Sequence, residues 1–280
     1  MLFRYLLLFV LSVPIGIGYL WMFISTFAVR THGLMPVDAQ GDFGGLTLEN
    51  WAFLQDPQLW KALWNTCLLA GGMTALTVLI SSMAGYALSR IDFRFRRQLL
   101  SMTLLLHAFP SVTLLIAIYF VLKGLSASPL AGPWIGYNTM GGVILVSVAM
   151  QLPLGVWLMK GFFDNLSWDV ERSALLDGCT RIQVFWRVAL PMVGPGVAAL
   201  AVLSFITGWG SFLIPYTFMM DQGSATLATY LMQSMTDTAP ARYGTLAAIG
   251  LFQTLPILGF FLFAQKYLMN IYSGGTKGMA

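Results

Sequence analysis

The sequence predicts an all-α integral membrane protein with six transmembrane helices, from its composition, six long apolar windows and the uneven placement of its basic residues. Of 280 residues, 58% are hydrophobic, 14% aromatic and only 9% charged, and mean hydropathy is +0.76. Soluble domains do not have that balance. The windows lie at about 3–27, 63–89, 99–122, 138–162, 191–220 and 243–269, each long enough to cross the hydrocarbon layer with some tilt. Together with their connections they use up the chain, so residues 1–280 read as a single transmembrane domain.

The first window follows Arg4 and could pass for a secretory leader. Its length and the lack of an A-x-A cleavage site favour an uncleaved span. With the N-terminus inside, Arg4, Arg90, Arg94, Arg96, Arg97, Lys160, Arg172, Arg181, Arg187, Lys266 and Lys277 fall on the inner side; Arg30, Lys61, Lys123 and Arg242 fall outside. The positive-inside rule therefore selects an N-in, C-in topology and puts the 163–190 loop in the cytoplasm. The same loop placement explains the net charge of +4 as a topology signal, not a nucleic-acid surface. On the outer side, 28–62 contains an interfacial helix start at Leu46–Trp51, while 124–137 and 221–242 read as turn-rich connectors.

Catalytic chemistry has little to work with. No nucleophile–base set, phosphate loop or metal-ligand spacing occurs; His32 and His107 are isolated, and Cys67 and Cys179 should lie at different depths as free thiols. Gly71-Gly72 and Gly141-Gly142 are read as close-packing sites between helices. No Asp or Glu sits mid-span, which argues against a carrier driven by its own ion gradient. Work against a gradient would need energy from a partner.

Polar and helix-bending groups do interrupt the spans, at Phe109-Pro110-Ser111, Gln151-Leu152-Pro153, Gly208–Phe212 with Pro215, and Gln253 with Pro256. Broken helices in transport proteins line wet cavities. Rings beside hydroxyl and amide groups suit polyhydroxylated solutes, so Phe109, Pro110, Gln151, Trp209, Ser211 and Phe212 are candidates for the solute path. Ordinary kinks and helix packing are the competing account of each.

The most informative segment is the polar island ERSALLDGCTRIQVFWRVALPMVGPG at 171–196: a charged helical run, an Asp177-Gly178 break, a second amphipathic run and a Leu190-Pro191 helix start. It is too polar for hydrocarbon and too short for a domain. This island and its flanks resemble the permease subunits of binding-protein-dependent ABC importers, in the carbohydrate branch that includes the maltose permeases. That family's loop reads approximately E-E-A-A-x-x-D-G-A-[ST], an aromatic, then L-P-x-x-x-P. Glu171 through Thr180, Phe185, Leu190-Pro191 and Pro195 follow it. Asn65-Thr66, Gly85-Tyr86-Ala87-Leu88-Ser89-Arg90, Phe109-Pro110-Ser111, Leu152-Pro153-Leu154 before Gly161-Phe162-Phe163, and the Ser273–Gly278 tail fit in the same order.

The resemblance implies a cytoplasmic coupling helix near 169–180, between spans four and five, with Glu171, Ser173, Ala174, Asp177 and Gly178 serving ATPase coupling. It implies a second homologous permease, two cytoplasmic ATPase subunits and a periplasmic solute-binding protein, in a bacterial inner membrane. It also implies no cofactor or catalysis in this chain, with ATP and Mg used by the partner ATPase, and import of a sugar or sugar derivative by alternating access. A non-sugar solute such as a polyamine or phosphate ester, or a self-sufficient secondary carrier or channel, are the alternatives. Two departures stand out: Arg172 replaces the loop's second glutamate, leaving open whether Glu171 takes over its ion pair. In addition, Trp209-Gly210-Ser211-Phe212 replaces W-N-E-F, a loss of negative charge compatible with an anionic sugar.

Overall fold

The computed structural model describes residues 2–38, 40–219, 223–237 and 243–274. In chain order it comprises α1 (Leu2–Thr26), the strands β1 (Arg30–His32) and β2 (Met35–Val37), a 3-10 helix (Glu49–Gln55), α2 (Pro57–Arg90), α3 (Arg96–His107) and α4 (Ser111–Ser126). There follow α5 (Gly132–Ile135), α6 (Met140–Asp164), α7 (Trp168–Leu176), α8 (Arg181–Val184), a π-helical turn (Phe185–Ala189) and α9 (Leu190–Met192). The chain ends with α10 (Gly194–Trp209), α11 (Leu213–Phe218), α12 (Leu227–Asp237) and α13 (Tyr243–Gly274). The helical class expected from composition holds.

The count of spans is coarser than expected. Among the described residues four helices are long and apolar enough to cross a membrane: Arg4–Thr26, Pro57–Arg90, Met140–Asp164 and Tyr243–Phe263. A fifth arises if Arg181–Met192 and Gly194–Trp209, bent by 77°, count as one. The 99–122 window is not one helix, because Pro110 lacks an amide proton, sits at ψ 131°, and separates α3 from the 16-residue α4. The 191–220 window is likewise divided, after Val193 and again at Gly210–Phe212.

Contacts divide the chain into two units, residues 1–63 with 225–258 and residues 64–224 with 259–280. In the first, β1 and β2 pair antiparallel with Arg30 opposite Val37 and His32 opposite Met35. The helix start expected at Leu46–Trp51 is a 3-10 helix beginning at Glu49, and the hairpin before it was not expected. Asn50 donates its side-chain amide to the carbonyls of Ser25 (3.3 Å), Thr26 (3.2 Å) and Ala28 (2.9 Å), tying the 3-10 helix to the end of α1. Rings of Phe23, Phe27, Trp51, Phe53, Trp60 and Phe252 pack in sequence around that junction. The expected connector at 221–242 carries α12, whose Tyr230 hydroxyl donates to Asp56 at 2.7 Å.

Among the described residues the second unit has two apolar clusters. Leu69, Leu122, Val143, Val146, Ile214 and Phe218 form one; Met159, Phe163, Phe185, Ala189, Val193 and Leu200 form the other. Small residues set the helix spacing: a Cβ on Gly85 of α2 would come within 2.8 Å of the Lys160 backbone nitrogen and of Met159 in α6. Gly72, Gly141 and Gly142 are also close-approach sites, as expected, whereas Gly71 faces open space. Gly275–Gly278 of the tail motif, with Arg242 and Lys277, lie outside the described residues.

This contrast within one helix is testable. Gly85→Val should destabilise the protein by about 1–3 kcal/mol through overpacking, and Gly71→Val should not. Thermal unfolding of the purified complex in detergent measures both, and equal Tm shifts would contradict the packing described.

Candidate functional site

The loop between α6 and α10 is built from its helix ends. Ser167 caps α7, its hydroxyl accepting the Asp169 amide proton at 3.2 Å. At the other end Asp177 takes the C-cap position through its backbone, and Gly178 adopts φ +87°, a left-handed conformation costly for any residue with a Cβ. The Gly178 amide donates to Leu175 O and the Cys179 amide to Ala174 O, both at 3.1 Å, which is a complete Schellman motif. Directly afterwards Thr180 and Gln183 close a capping box at the start of α8, with bonds of 3.3 and 2.8 Å. Each helix end therefore satisfies its own backbone, and the turn is fixed without outside help.

One side chain points inward. The Glu171 carboxylate accepts from Arg90 Nε at 2.6 Å and from the Tyr86 hydroxyl at 3.0 Å; the paired side chains of Arg90 and Glu171 are 4% and 5% exposed. Arg90 also donates to Leu166 O at 2.8 Å and to Ser89 Oγ at 3.2 Å, and its guanidinium lies 4.6 Å from the centre of the Trp168 ring. Ser89 in turn donates to Asp164 at 2.7 Å. The end of α2 thus clasps the end of α6 and the first turn of α7. Glu171, expected among the residues serving ATPase coupling, is engaged within the chain by Arg90 and Tyr86. Nor does Arg172 supply a strong pair, being exposed and 3.8 Å from an equally exposed Asp169.

The opposite face of the elbow is open. Ser173, Asp177 and Gly178 are exposed and Ala174 half-buried. Two residues that the sequence reading passed over dominate this face: Leu176 is 88% exposed and Ile182 71%. A leucine placed directly before an Asp-Gly turn, on a helix otherwise polar on that side, was the available signal.

The second feature is a cavity of about 810 Å³ at the α3–α4 break. Phe109, Gln151, Ser211 and Phe212 all line it, joined by His107, Ser111, Ser147, Pro153 and Thr207. Ser147 and Thr207 spend their hydroxyl protons on the carbonyls of Val143 and Leu203, both at 2.8 Å. Gln151 is 7% exposed and has no protein partner among the described residues, so its amide is the principal free hydrogen-bonding group on the walls. Among the described residues no Asp, Glu, Lys or Arg lines the space. Pro110 shapes the break without joining the lining. Trp209 is turned away, 2% exposed and stacked on Phe205 at 5.5 Å. Among the described residues no group of His, Cys, Asp and Glu could hold a metal ion, and both cysteines are free thiols.

The elbow, with its helix, Asp-Gly turn and capped second helix, lies inside a segment that matches a family model. That model, for the binding-protein-dependent transport system inner membrane component, covers residues 77–269. The chain belongs to this family. Among related members of known function, the maltose/maltodextrin transport system permease protein MalG of Escherichia coli K12 is 35% identical over 223 residues, 79% of this chain and 72% of that protein. The sulfoquinovosyl glycerol transport system permease protein SmoH of Agrobacterium fabrum is 29% identical over 235 residues, covering 83% and 79% of the two chains. In fold, this family member is similar to a chain of a bacterial ABC transporter involved in import of the acidic polysaccharide alginate. That match has a TM-score of 0.77, 19% identity and 95% coverage of both chains.

The buried pair gives a prediction with a sign. Glu171→Leu leaves the Arg90 guanidinium buried without its counter-ion and should cost about 3–5 kcal/mol, whereas the double variant Arg90→Met with Glu171→Leu should cost less than either of these changes alone. Denaturant titration of the purified complex reads the cycle. Additive losses would mean that the two groups do not interact.

Proposed function

We infer that this chain is the transmembrane permease subunit of an ATP-driven importer that carries a sugar or sugar derivative from periplasm to cytoplasm by alternating access. The observation that carries this reading is the elbow: a pre-formed helix–turn–helix whose carboxylate is locked inward and whose outer face offers Leu176 and Ile182 to a partner. Exposed apolar side chains on a rigid polar elbow are the kind of anchor a protein partner buries. The partner is a cytoplasmic ATPase, present as two subunits that bind ATP and Mg, so hydrolysis takes place outside this chain. A second homologous permease and a periplasmic binding protein complete the assembly in the bacterial inner membrane.

In this reading the chain crosses six times with both ends inside, the broken helices α3–α4 and α9–α11 contributing to crossings. The elbow acts as the coupling helix between the fourth and fifth crossings. ATPase closure presses on Ser173, Leu176, Asp177 and Gly178. The Arg90–Glu171 clasp then passes the displacement to the ends of α2 and α6 together, because a buried ion pair held by further hydrogen bonds leaves little slack. Gln151 borders the cavity from α6 and would move with it.

Solute class is supported by two strands of argument. The relatives named above carry maltose or maltodextrin and sulfoquinovosyl glycerol. The cavity combines the rings of Phe109 and Phe212 with the Gln151 amide and the Ser111 and Ser211 hydroxyls, a wall suited to sugar C–H faces and hydroxyl groups. Because no carboxylate lines it, an acidic sugar derivative meets no fixed negative charge there.

Reconstitution with the partner subunits in proteoliposomes tests this. Leu176→Glu, which sets a charge where an apolar anchor must be buried, should abolish ATP-driven uptake and loosen ATPase retention on the column. Gln151→Leu should keep the ATPase bound and lower uptake about tenfold, the cost of one buried hydrogen bond at about 1.4 kcal/mol. Uptake by this chain alone, without ATP, would overturn the assignment.

A further inference from the structure

A second polar hollow, of about 480 Å³, lies where α2 gives way to α3. Asp92, Phe93, Arg94, Arg96, Arg97 and Lys160 line it, with Gln98 and Leu100. Two of its four cations are already matched: Arg96 donates to Asp92 at 2.7 Å, and Lys160 pairs with Asp164 one turn further along α6. Arg94 and Arg97 have no carboxylate partner among the described residues. Subtracting the two acids from the four bases leaves the hollow with two uncompensated positive charges, both on guanidinium groups, which match the oxygens of a phosphate in a planar fork.

The apolar residues interleaved with these in sequence identify the source of that phosphate. Ile91, Phe93 and Phe95 are 47%, 43% and 64% exposed, and the Arg94 guanidinium carbon lies 6.0 Å from the centre of the Phe95 ring. Exposed rings interleaved with arginines directly after the last turn of a membrane-crossing helix match the headgroup level of a bilayer, where rings contact acyl chains and guanidiniums contact phosphates. A site for soluble phosphate would have no use for three bare apolar side chains. The hollow is also separate in sequence from the elbow face that bears Leu176 and Ile182.

We propose that Arg94 and Arg97, over the floor formed by Arg96 and Lys160, bind the phosphate of an anionic membrane phospholipid and so pin the α2–α3 corner to the inner leaflet. This is a binding site distinct from the solute cavity and the elbow, and it requires only that the chain spans a membrane. Bound lipid would hold the α2–α3 corner, with Arg90 at its edge, at a fixed depth.

Native mass spectrometry of the purified transporter, with its partner subunits present and lipid retained, tests the site. In a mixture of phosphatidylglycerol and phosphatidylethanolamine, the wild-type complex should keep phosphatidylglycerol. Arg94→Gln with Arg97→Gln should lower that retention at least fivefold, while Arg30→Gln on the outer hairpin should leave it unchanged. Unchanged retention in the double variant overturns the proposal, as does displacement of the lipid by millimolar inorganic phosphate or glycerol phosphate, which would mark a soluble-anion site. A photo-crosslinker at Phe95 should label lipid; labelling of the ATPase instead would make the hollow a protein contact. Elution of the double variant as an intact complex separates loss of lipid from loss of fold.

Discussion

The contact on which the loop between α6 and α10 depends is the ion pair between Arg90 and Glu171, 2.6 Å long and almost wholly out of water. Burying two charges is costly, and the cost is offset only because each is further bonded: the carboxylate by Tyr86, the guanidinium by Leu166 O and Ser89, with Trp168 beneath it. A hydrophobic pair would hold as firmly but with less directionality. The ion pair fixes orientation, since the bonds to Arg90 reach α7 and the loop before it at set angles. Through Ser89 and Asp164 the same network continues into α6. Three helix ends are bonded into one piece, which is the mechanical requirement of the coupling role proposed for this loop.

How much of this was legible in the chain depended on range. The Asp177-Gly178 break and the restart at Arg181 could be read directly, because a Schellman turn and a capping box are written in neighbouring residues. The Arg90–Glu171 pair could not, since the partners are 81 positions apart and each sits in a motif of its own. The inward course of Glu171 was hidden for that reason: nothing in its neighbours names Arg90 as its partner. Leu176 and Ile182 went unnamed because single apolar residues in a polar run carry no periodic signal, and only their exposure sets them apart.

Helix continuity shows the same limit. Apolar windows measure hydrophobicity, not backbone geometry, so 99–122 and 191–220 read as single spans although Pro110 and the Gly210–Phe212 stretch interrupt them. The breaks themselves were visible as Pro and Gly, and four of the six residues named there converge on one cavity. Trp209 failed to join them because it shares a helical face with Phe205, four residues earlier, and the two rings stack. Beyond Gly210 the chain leaves that face, which is why Ser211 and Phe212 reach the cavity and the tryptophan does not. The hairpin at 30–37 and helix α12 lay in stretches whose Gly and Pro content masked short ordered elements.

The double cap around Gly178 bears on how such a transporter is put together. A loop that needed its partner in order to fold would expose unsatisfied amides and carbonyls during biogenesis, and would lose ordering entropy when the partner arrived. Here both helix ends are closed by local bonds before anything docks. With the elbow as the proposed docking surface, insertion into the bilayer and recruitment of a partner become independent events, and a partner that dissociates leaves behind a surface still shaped to receive its replacement.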